Sequence, residues 1–402
     1  MRHQLLQQIE KGSKHALMKK RIITHYIYNG NSTITDLAKE LDLSIPTVTK
    51  FITEMTDEGF INDYGKLETS GGRHPSLYGL NPDSGYFIGV ELNRDALNIA
   101  LINFKGDLID SKRGIYYHFD NNEKRIDDLV TIIRDYINQL NLDHNKILNI
   151  NVSIAGRVDP DNGYSYSNYS FEKVSLAEIL TKKLSYPVSI DNDTRAIAFG
   201  EFMKGAVENE KNIIFINLSW GIGMGIIING KLYTGKSGFS GEFGHVNTYD
   251  NEIICHCGKK GCLETEASGM AFHRILLERI KNGENSILSE QIKANKEITL
   301  NQLIDATLRE DMLCIEIIEE IGEKLGKQIS GLINIFNPEL VIIGGALAQT
   351  GDYITQPIIT SVRKYSLNLV NKDSKITSSK LLDRAGVIGS CMLARSRVFE
   401  ID

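Results

Sequence analysis

Few cysteines are present in this sequence, and they are not distributed as a disulfide framework would be. Only five of the 402 residues are cysteine, and three of them lie within eight positions. The N-terminus has no apolar signal core, and the longest uncharged run, residues 212–230, contains four glycines. Two β-strands around a glycine turn explain that run better than a membrane span. We therefore expect a cytoplasmic protein without membrane insertion, and we exclude a secreted disulfide scaffold.

Length and charge indicate a protein of several domains. A chain of 402 residues is too long for one compact core, so two or three domains are expected. Residues 1–80 hold 10 Lys and Arg against 9 Asp and Glu, a net charge of +1, whereas the remainder holds 35 against 42, a net charge of −7. A near-neutral N-terminal module can bind nucleic acid through one basic face, although charge alone does not establish this.

The clustered cysteines predict a metal site. Cys255, Cys257 and Cys262 follow His245, which precedes the first of them by ten positions. Three thiolates and one imidazole complete the tetrahedral shell of a structural Zn²⁺ ion. His256 is an alternative fourth ligand, but its closeness to two cysteines would strain a shared shell, which favours His245. Buried cysteines without a metal are the other interpretation, and the tight spacing argues against it.

Three short helices are predicted in the first eighty residues. Residues 13–28 have helical apolar spacing and end at turn residues. Thr33 is positioned to cap the second helix. Ser44 is positioned to cap the third helix, in whose first turn Pro46 is tolerated. This order of helix, short turn and helix is the helix-turn-helix pattern.

The third helix has the two faces of a recognition helix, which enters the major groove of DNA. Its inward positions are apolar and its outward positions are small and polar. A hairpin follows, and its basic tip at residues 70–75 suits a wing that probes the minor groove. A small module that binds protein, or only dimerises, is the alternative. The predicted DNA-binding residues are Ser44, Thr47, Thr49, Lys50 and, on the wing, Arg73.

The rest of the chain alternates between strand and helix patterns after a loop at residues 81–85. This alternation predicts an α/β fold. Strands are predicted at 86–91, 96–102, 107–116, 147–154, 188–190 and 340–343, a hairpin at 213–230, and helices at 126–140, 194–203 and from 315 to 337.

Together these motifs resemble the ROK family of repressors and sugar kinases over nearly the whole chain. The resemblance implies two actin-like α/β lobes around a cleft, preceded by the winged helix-turn-helix of the repressor branch. It implies domains at 1–80, at 81–200 completed by a C-terminal helix at 384–402, and at 201–383 with the zinc site and a dimerisation surface. Its marks are Asn192-Asp193, the glycine hairpin at 221–225, Gly241-Glu242-Phe243-Gly244-His245, the cysteine cluster with Leu263-Glu264, Asn337-Pro338 and Gly344-Gly345.

The resemblance also implies a sugar site built from carboxylates and amides. Sugar hydroxyls both donate and accept hydrogen bonds, so such side chains can pair with adjacent hydroxyls. His245 could join the two sites, with one ring nitrogen on zinc and the other toward the sugar. The implied sugar-binding residues are Asn168, Asn192, Asp193, Glu242, His245 and Glu264.

The turns that would hold the ATP phosphates in a kinase of this family favour a repressor instead. A kinase of this family would use Asp193 as general base and hold ATP phosphates on glycine-rich turns. Here residues 91–95 read Glu-Leu-Asn-Arg-Asp and residues 219–221 read Ser-Trp-Gly, which depart from the family turns. We therefore expect no catalytic residue and predict a sugar-responsive repressor. Its expected partners are operator DNA, a sugar or sugar phosphate, and further copies of itself in a homodimer or tetramer. An ATP-dependent sugar kinase, or a sensor docked by a transport protein, remains the alternative.

Overall fold

The structure is a computed structural model that describes residues 8–9, 11–66, 75–94, 96–118, 120, 122–169 and 174–401. The chain divides into two compact units. The first comprises Met1–Asp193 with Ser390–Asp402, and the second comprises Thr194–Gly389. The domain limits drawn from the sequence include a further boundary at residue 80, and they stay a prediction.

Within the described residues, helices α1 to α3 and a small antiparallel sheet form a module in the first unit. Thr33 caps the second helix by accepting the N–H of Asp36, and Ser44 caps the third by accepting the N–H of Thr47. Both predicted caps are confirmed. The two longer strands pair with Ile61 opposite Leu80, as the arms of a wing do. The elements are α1 (Lys14–Asn29), β1 (Ser32–Thr33), α2 (Ile34–Glu40), α3 (Ile45–Asp57), β2 (Ile61–Lys66) and β3 (Ser76–Leu80), with sheet order β1-β3-β2.

The remainder of the first unit is a five-stranded sheet with helices. Three of its strands are parallel and two continue as an antiparallel meander. Strand β7 is buried along its whole length, as a central strand covered on both faces must be. The elements are β4 (Tyr86–Leu92), β5 (Ala96–Asn103), β6 (Leu108–Tyr116), α4 (Glu123–Gln139), β7 (Ile147–Ile154), β8 (Val158–Asp159), β9 (Tyr164–Ser165), α5 (Leu176–Leu184) and β10 (Val188–Asn192), with main sheet order β10-β7-β4-β5-β6.

The second unit has a five-stranded sheet of the same mixed kind, with three parallel and two antiparallel strands. A long helix packs its buried apolar stripe in the core of this unit. The elements are α6 (Asp193–Lys204), β11 (Ile213–Leu218), β12 (Ile222–Ile228), β13 (Lys231–Leu232), α7 (Glu264–Ala267), α8 (Gly269–Lys281), α9 (Ser289–Lys293), α10 (Leu300–Leu308), α11 (Met312–Phe336), β14 (Leu340–Gly344), α12 (Asp352–Tyr365), α13 (Asn368–Asp373) and β15 (Lys375–Ser378), with sheet order β13-β12-β11-β14-β15.

The last helix, α14 (Ala385–Phe399), starts within the second unit and ends within the first. Ser390 seats it on the first unit's sheet, because its hydroxyl lies 3.0 Å from the carbonyl oxygen of Val90 and 2.9 Å from that of Asn151. Among the described residues, no helix combines the length and the apolar character that a membrane span requires.

Candidate functional site

The recognition helix α3 is held by its apolar face and its N-terminal cap. Val48, Ile52 and Met55 are almost fully buried. At the other end, the buried ammonium group of Lys19 lies 2.6 Å from Glu58 and so ties α1 to the end of α3. The carboxylate of Glu58 supplies the counter-charge that a buried ammonium group requires. The packing fixes which face of α3 remains exposed.

The exposed face of α3 carries the predicted DNA-binding side chains. Thr49 and Lys50 are exposed, and Thr47 is partly exposed. The hydroxyl of Thr49 donates to the carbonyl of Ile45, so its methyl group is directed away from that bond. Ile45 is itself 52% exposed. Sequence reasoning missed Ile45, although an isoleucine outside the buried stripe at a helix start is a readable signal for contact with a thymine methyl group. Arg73 lies outside the described residues.

The winged module is attached to the C-terminal end of the same unit. Lys20 pairs with Glu400, and the hydroxyl of Tyr28 donates to the carbonyl of Ile401. Phe60 of the module lies 6.0 Å, ring centroid to ring centroid, from Phe104, which in turn makes an edge contact with Phe399 of α14. The residues that follow α14 are therefore bonded directly to the winged module.

The predicted asparagines of the first unit meet at the carboxyl ends of β7 and β10. Asn168 donates to the carbonyl of Ala155 at 2.6 Å, and Asn192 donates to the neighbouring carbonyl of Gly156 at 2.9 Å. Asn192 also donates to Asp193 at 3.0 Å. Amides and a carboxylate thus share one loop, where parallel strands end and ligands are commonly bound.

Gly156 and Tyr169 shape this loop, and sequence reasoning did not single out either one. Gly156 has a φ of +93°, and a Cβ there would lie 2.5 Å from the Cβ of Ser167. The buried hydroxyls of Tyr169 and Tyr117 are hydrogen-bonded, which anchors the chain next to Asn168. The Ala-Gly pair after a strand was the available signal for the glycine.

The predicted cysteine–histidine cluster is assembled in the second unit. His245, Cys255, Cys257 and Cys262 bring one ligand atom each within 4.8 Å of one another. The sulfurs of Cys257 and Cys262 are 3.7 Å apart, close to the edge of about 3.8 Å that a tetrahedron with bonds of about 2.3 Å requires. Nδ1 of His245 lies 3.6 Å from the Cys255 sulfur. These residues could hold a metal ion.

Glu264 is the most buried of the carboxylates predicted for the sugar. Its Oε2 accepts the N–H of Ile222 at 2.9 Å, and its Oε1 lies 2.9 Å from Nδ1 of His256. A Cβ on Gly221 would lie 2.4 Å from Oε2. The glycine of the hairpin is therefore needed for the approach of Glu264 to the backbone.

His256, the alternative fourth metal ligand, lies close to both Cys255 and Glu264. It is paired with Glu264 and lies 3.8 Å from the Cys255 sulfur, while His245, His256 and Glu264 form a second set of possible ligands. The Nε2 of His245 faces Glu242 at 3.8 Å. In the second unit the structure thus brings together all three predicted side chains for the sugar, Glu242, His245 and Glu264, beside the cysteines.

The turn after β11 uses its polar groups internally. The Ser219 hydroxyl donates to Asn217 at 3.0 Å and accepts the N–H of Ala346 at 3.1 Å. Asn217 in turn donates to Thr194 at 3.0 Å. Trp220, the next residue, is 38% exposed and stacks obliquely near His273. The Ser219 hydroxyl thus links the end of β11 to the segment that follows β14.

Comparison with known proteins supports the pattern found in the sequence. A family model described as ROK family matches residues 87–397, and one described as winged helix-turn-helix DNA-binding matches residues 18–62. The xylose repressor of Caldicellulosiruptor bescii is 32% identical over 96% of this chain and 95% of its own length. A glucokinase of Halalkalibacterium halodurans is 29% identical over 78% of this chain and 96% of its own.

A solved structure agrees over both parts of the chain. The crystal structure of a ROK family transcriptional regulator, described as a homologue of the E. coli Mlc protein, has a TM-score of 0.80 and 27% identity. It covers 96% of this chain and 97% of its own. The predicted fold class, a winged helix-turn-helix followed by a sugar-kinase-like α/β fold, is confirmed.

Proposed function

The chain belongs to the ROK family, and from that premise we propose that it is a cytoplasmic, sugar-responsive transcriptional repressor. The observation that carries this proposal is the winged helix-turn-helix, whose recognition helix α3 presents an exposed polar face. The repressor and the regulator named above each cover 96% of this chain, whereas the glucokinase covers 78% of it.

Operator DNA would be held by α3 and the wing. Lys50 would contact phosphate, and Ser44, Thr47 and Thr49 would lie in the major groove, with Arg73 in the minor groove. Helix-turn-helix proteins read two half-sites about one helical turn apart, so we propose a homodimer or a pair of dimers.

The effector would be a sugar or sugar phosphate. Asn168, Asn192 and Asp193 are the proposed contacts from the first unit, and Glu242, His245 and Glu264 those from the second. Support comes from the convergence of amides on the loop after β7 and from the buried position of Glu264. A carboxylate with one oxygen held by backbone is oriented before the sugar arrives, which lowers the entropic cost of binding.

A structural Zn²⁺ ion would rest on His245, Cys255, Cys257 and Cys262. The sulfur separation supports tetrahedral coordination, and the Nδ1 of His245 faces the cysteines while its Nε2 faces Glu242. This division of the ring would let one histidine serve both the metal and the sugar. The ion would supply rigidity to the segment that carries the carboxylates, and no chemical step passes through it.

Coupling between sugar and DNA would run through α14. This helix contributes residues to both units, and the two residues that follow it, Glu400 and Ile401, contact the winged module through Lys20 and Tyr28. A sugar that binds one conformation of α14 more tightly than another would thereby bias the module. Such a ligand shifts the equilibrium only by its difference in affinity between the two states.

Selection of duplexes from a random pool tests the repressor proposal. We expect enrichment of a sequence with two related half-sites, bound with strong salt dependence. Lys50→Ala should weaken binding to all duplexes and lower the salt slope by about 1, whereas Lys296→Ala, an exposed lysine of the second unit, should not. Absence of any enriched sequence, with and without sugars, would sink the proposal.

An ATP-dependent sugar kinase is the second candidate, and Asp193 is the observation that favours it, because it matches the family's general base. Turnover of ATP by the full chain across common hexoses and amino sugars tests it. Activity that disappears in Asp193→Asn would replace the proposal that the protein is a regulator without enzymatic activity. The internal use of the Ser219 hydroxyl argues for no turnover.

A further inference from the structure

A pocket of about 500 Å³ lies in the second unit beside β15, the last strand of its sheet. Small-ligand sites commonly have volumes of this order. None of the residues proposed above for sugar, metal or DNA lines it. Its apolar lining comes from a loop, two strands and a helix, namely Ala206, Leu340, Ile376 and Ile359.

Three cationic side chains also line this pocket. They are Arg363 near the end of α12, Lys375 at the start of β15, and Lys380 just after it. All three are exposed. Within the described parts of the chain, no hydrogen bond or ion pair within 4 Å engages any of these three charged groups. Three cations without a close partner at one concave site are repelled by one another, and an anion between them would relieve that repulsion.

Two carboxylates in the same pocket oppose an anion in part. Glu208 is exposed, and Glu210 is turned toward the loop, where its Oε2 accepts the N–H of Glu208 at 2.9 Å and that of Asn209 at 3.1 Å. The hydrogen bond from Glu208 leads the effects that lower the pKa of Glu210. Two backbone N–H groups already stabilise the carboxylate of Glu210, so it does not depend on the charge of Lys375 alone. The formal charge of the lining is three positive against two negative.

Cations beside an edge strand have another use, since lysine on an edge discourages pairing with other sheets. That use requires only Lys375, the first residue of β15, and Lys380, which follows the strand. It does not require Arg363, which reaches the pocket from α12, or the apolar lining. The planar guanidinium of Arg363 can donate two parallel hydrogen bonds to phosphate oxygens, a geometry that protection of an edge strand does not need.

We propose that this pocket is a second ligand site, which binds a small organic monophosphate with its phosphate on Arg363, Lys375 and Lys380. The carbon part of the ligand would cover the apolar lining, so an organic phosphate should bind more tightly than inorganic phosphate. The pocket shares no lining residue with the proposed sugar site, so a test that fails for one site does not affect the other.

Calorimetric titration of the full chain with glycerol 3-phosphate, inorganic phosphate and glycerol tests the proposal at constant ionic strength. We expect saturable binding of glycerol 3-phosphate, weaker binding of phosphate and none of glycerol. Arg363→Ala should weaken the affinity for glycerol 3-phosphate about tenfold, the loss of one charge-assisted contact. Arg363→Lys should recover only part of it, because the fork is lost.

Matched variants distinguish specific binding in the pocket from non-specific attraction of the anion to exposed cations. Glu208→Gln removes a like charge, so it should tighten binding of glycerol 3-phosphate, whereas Lys296→Ala, an exposed lysine outside the pocket, should leave it unchanged. The three altered side chains, Arg363, Glu208 and Lys296, are exposed, so unchanged circular dichroism and melting temperature are expected for all four variants without ligand. Equal weakening by Lys296→Ala and Arg363→Ala, or no saturable binding by the folded wild-type chain, would overturn the proposal.

Discussion

The hydroxyl of Tyr28, in the first helix of the winged module, donates a 2.7 Å hydrogen bond to the carbonyl oxygen of Ile401, 373 residues later in the chain. The ion pair of Lys20 with Glu400 joins the same two segments, and the edge contact of Phe399 with Phe104 holds the end of α14 next to β5. The DNA-binding module is thus packed against the end of α14.

Removal of this hydrogen bond should loosen the module. We expect Tyr28→Phe to lower the free energy of unfolding by about 1 kcal/mol, the net value of one such bond. Tyr116→Phe is the matched control, because Tyr116 is 80% exposed in the same unit and its loss should change stability by less than about 0.5 kcal/mol. Urea unfolding of the full chain measures both. Equal effects of the two variants would contradict the role of the Tyr28 hydroxyl.

A pair of glycines tests the burial of Arg395 in the first unit. The Arg395 side chain is fully buried and its Nη1 donates to the carbonyl of Lys105 at 2.7 Å. Gly106 has a φ of +95°, and a Cβ there would lie 2.3 Å from Nη1, whereas Gly114 has a φ of +68° and open space around it.

Gly114→Ala should therefore cost only backbone strain, about 1–2 kcal/mol. Gly106→Ala should cost that strain and also displace the buried guanidinium from its carbonyl, which adds about 1.5–3 kcal/mol. Urea unfolding of the two variants gives the difference directly. If Gly106→Ala lost no more stability than Gly114→Ala, Arg395 would be able to move aside without an energetic cost.

Metal content should depend on the proposed ligands. Elemental analysis of the purified full chain should find about one zinc ion, reduced strongly in Cys262→Ser and His245→Asn but retained in His256→Asn. A chelator should lower the melting temperature of the wild type, because binding free energy contributes to folding. Loss of zinc in His256→Asn together with retention in His245→Asn would reverse the assignment of the fourth ligand.

Zinc affinity should rise with pH. Burial raises the pKa of the Cys255 thiol to about 12, so this thiol is protonated at neutral pH until a cation displaces its proton. Metal binding therefore releases protons, and each increase in pH favours the bound state. Competition with a zinc indicator between pH 6 and 8 measures the trend. A pH-independent affinity would contradict coordination by the thiolate.

Acid should destabilise the winged module through His25. This residue is buried in α1, and its burial lowers its pKa below the ordinary value of 6.5, an effect that Glu40 opposes. Below about pH 6.5 the unfolded chain takes up a proton that the folded chain excludes, so stability falls as pH falls. In His25→Gln the urea midpoint should depend less on pH between 7 and 5. Identical slopes in variant and wild type would exclude His25 as the cause.

The elements that the sequence predicted best are those with local causes. Ser44 and Thr33 cap their helices through bonds that span three residues, and the cysteines of the cysteine–histidine cluster lie within eight positions. Strand β7 was predicted with its observed limits, and apolar and polar residues alternate along most of its length. In each case neighbours along the chain are neighbours in space, so spacing alone carries the information.

Other relationships could not be predicted because they join distant segments. The sequence indicated that Gly221 belongs to a hairpin, but only the fold shows that its missing side chain admits Glu264, 43 positions later. The exposed face of α3 was predictable from periodicity, whereas the exposure of Ile45 at its start depends on which elements leave that end uncovered.

The sequence by itself determined the winged helix-turn-helix, the α/β class and the identity of the cysteine–histidine cluster, since capping bonds, helical periodicity and ligand spacing act over a few residues. Only the tertiary structure decided that Tyr28 reaches Ile401, that Arg395 is buried beside Gly106, and that three cations meet at one pocket beside β15. Those contacts arise when distant apolar surfaces pack together, and the polar groups that they bring along must then find partners in whatever geometry results.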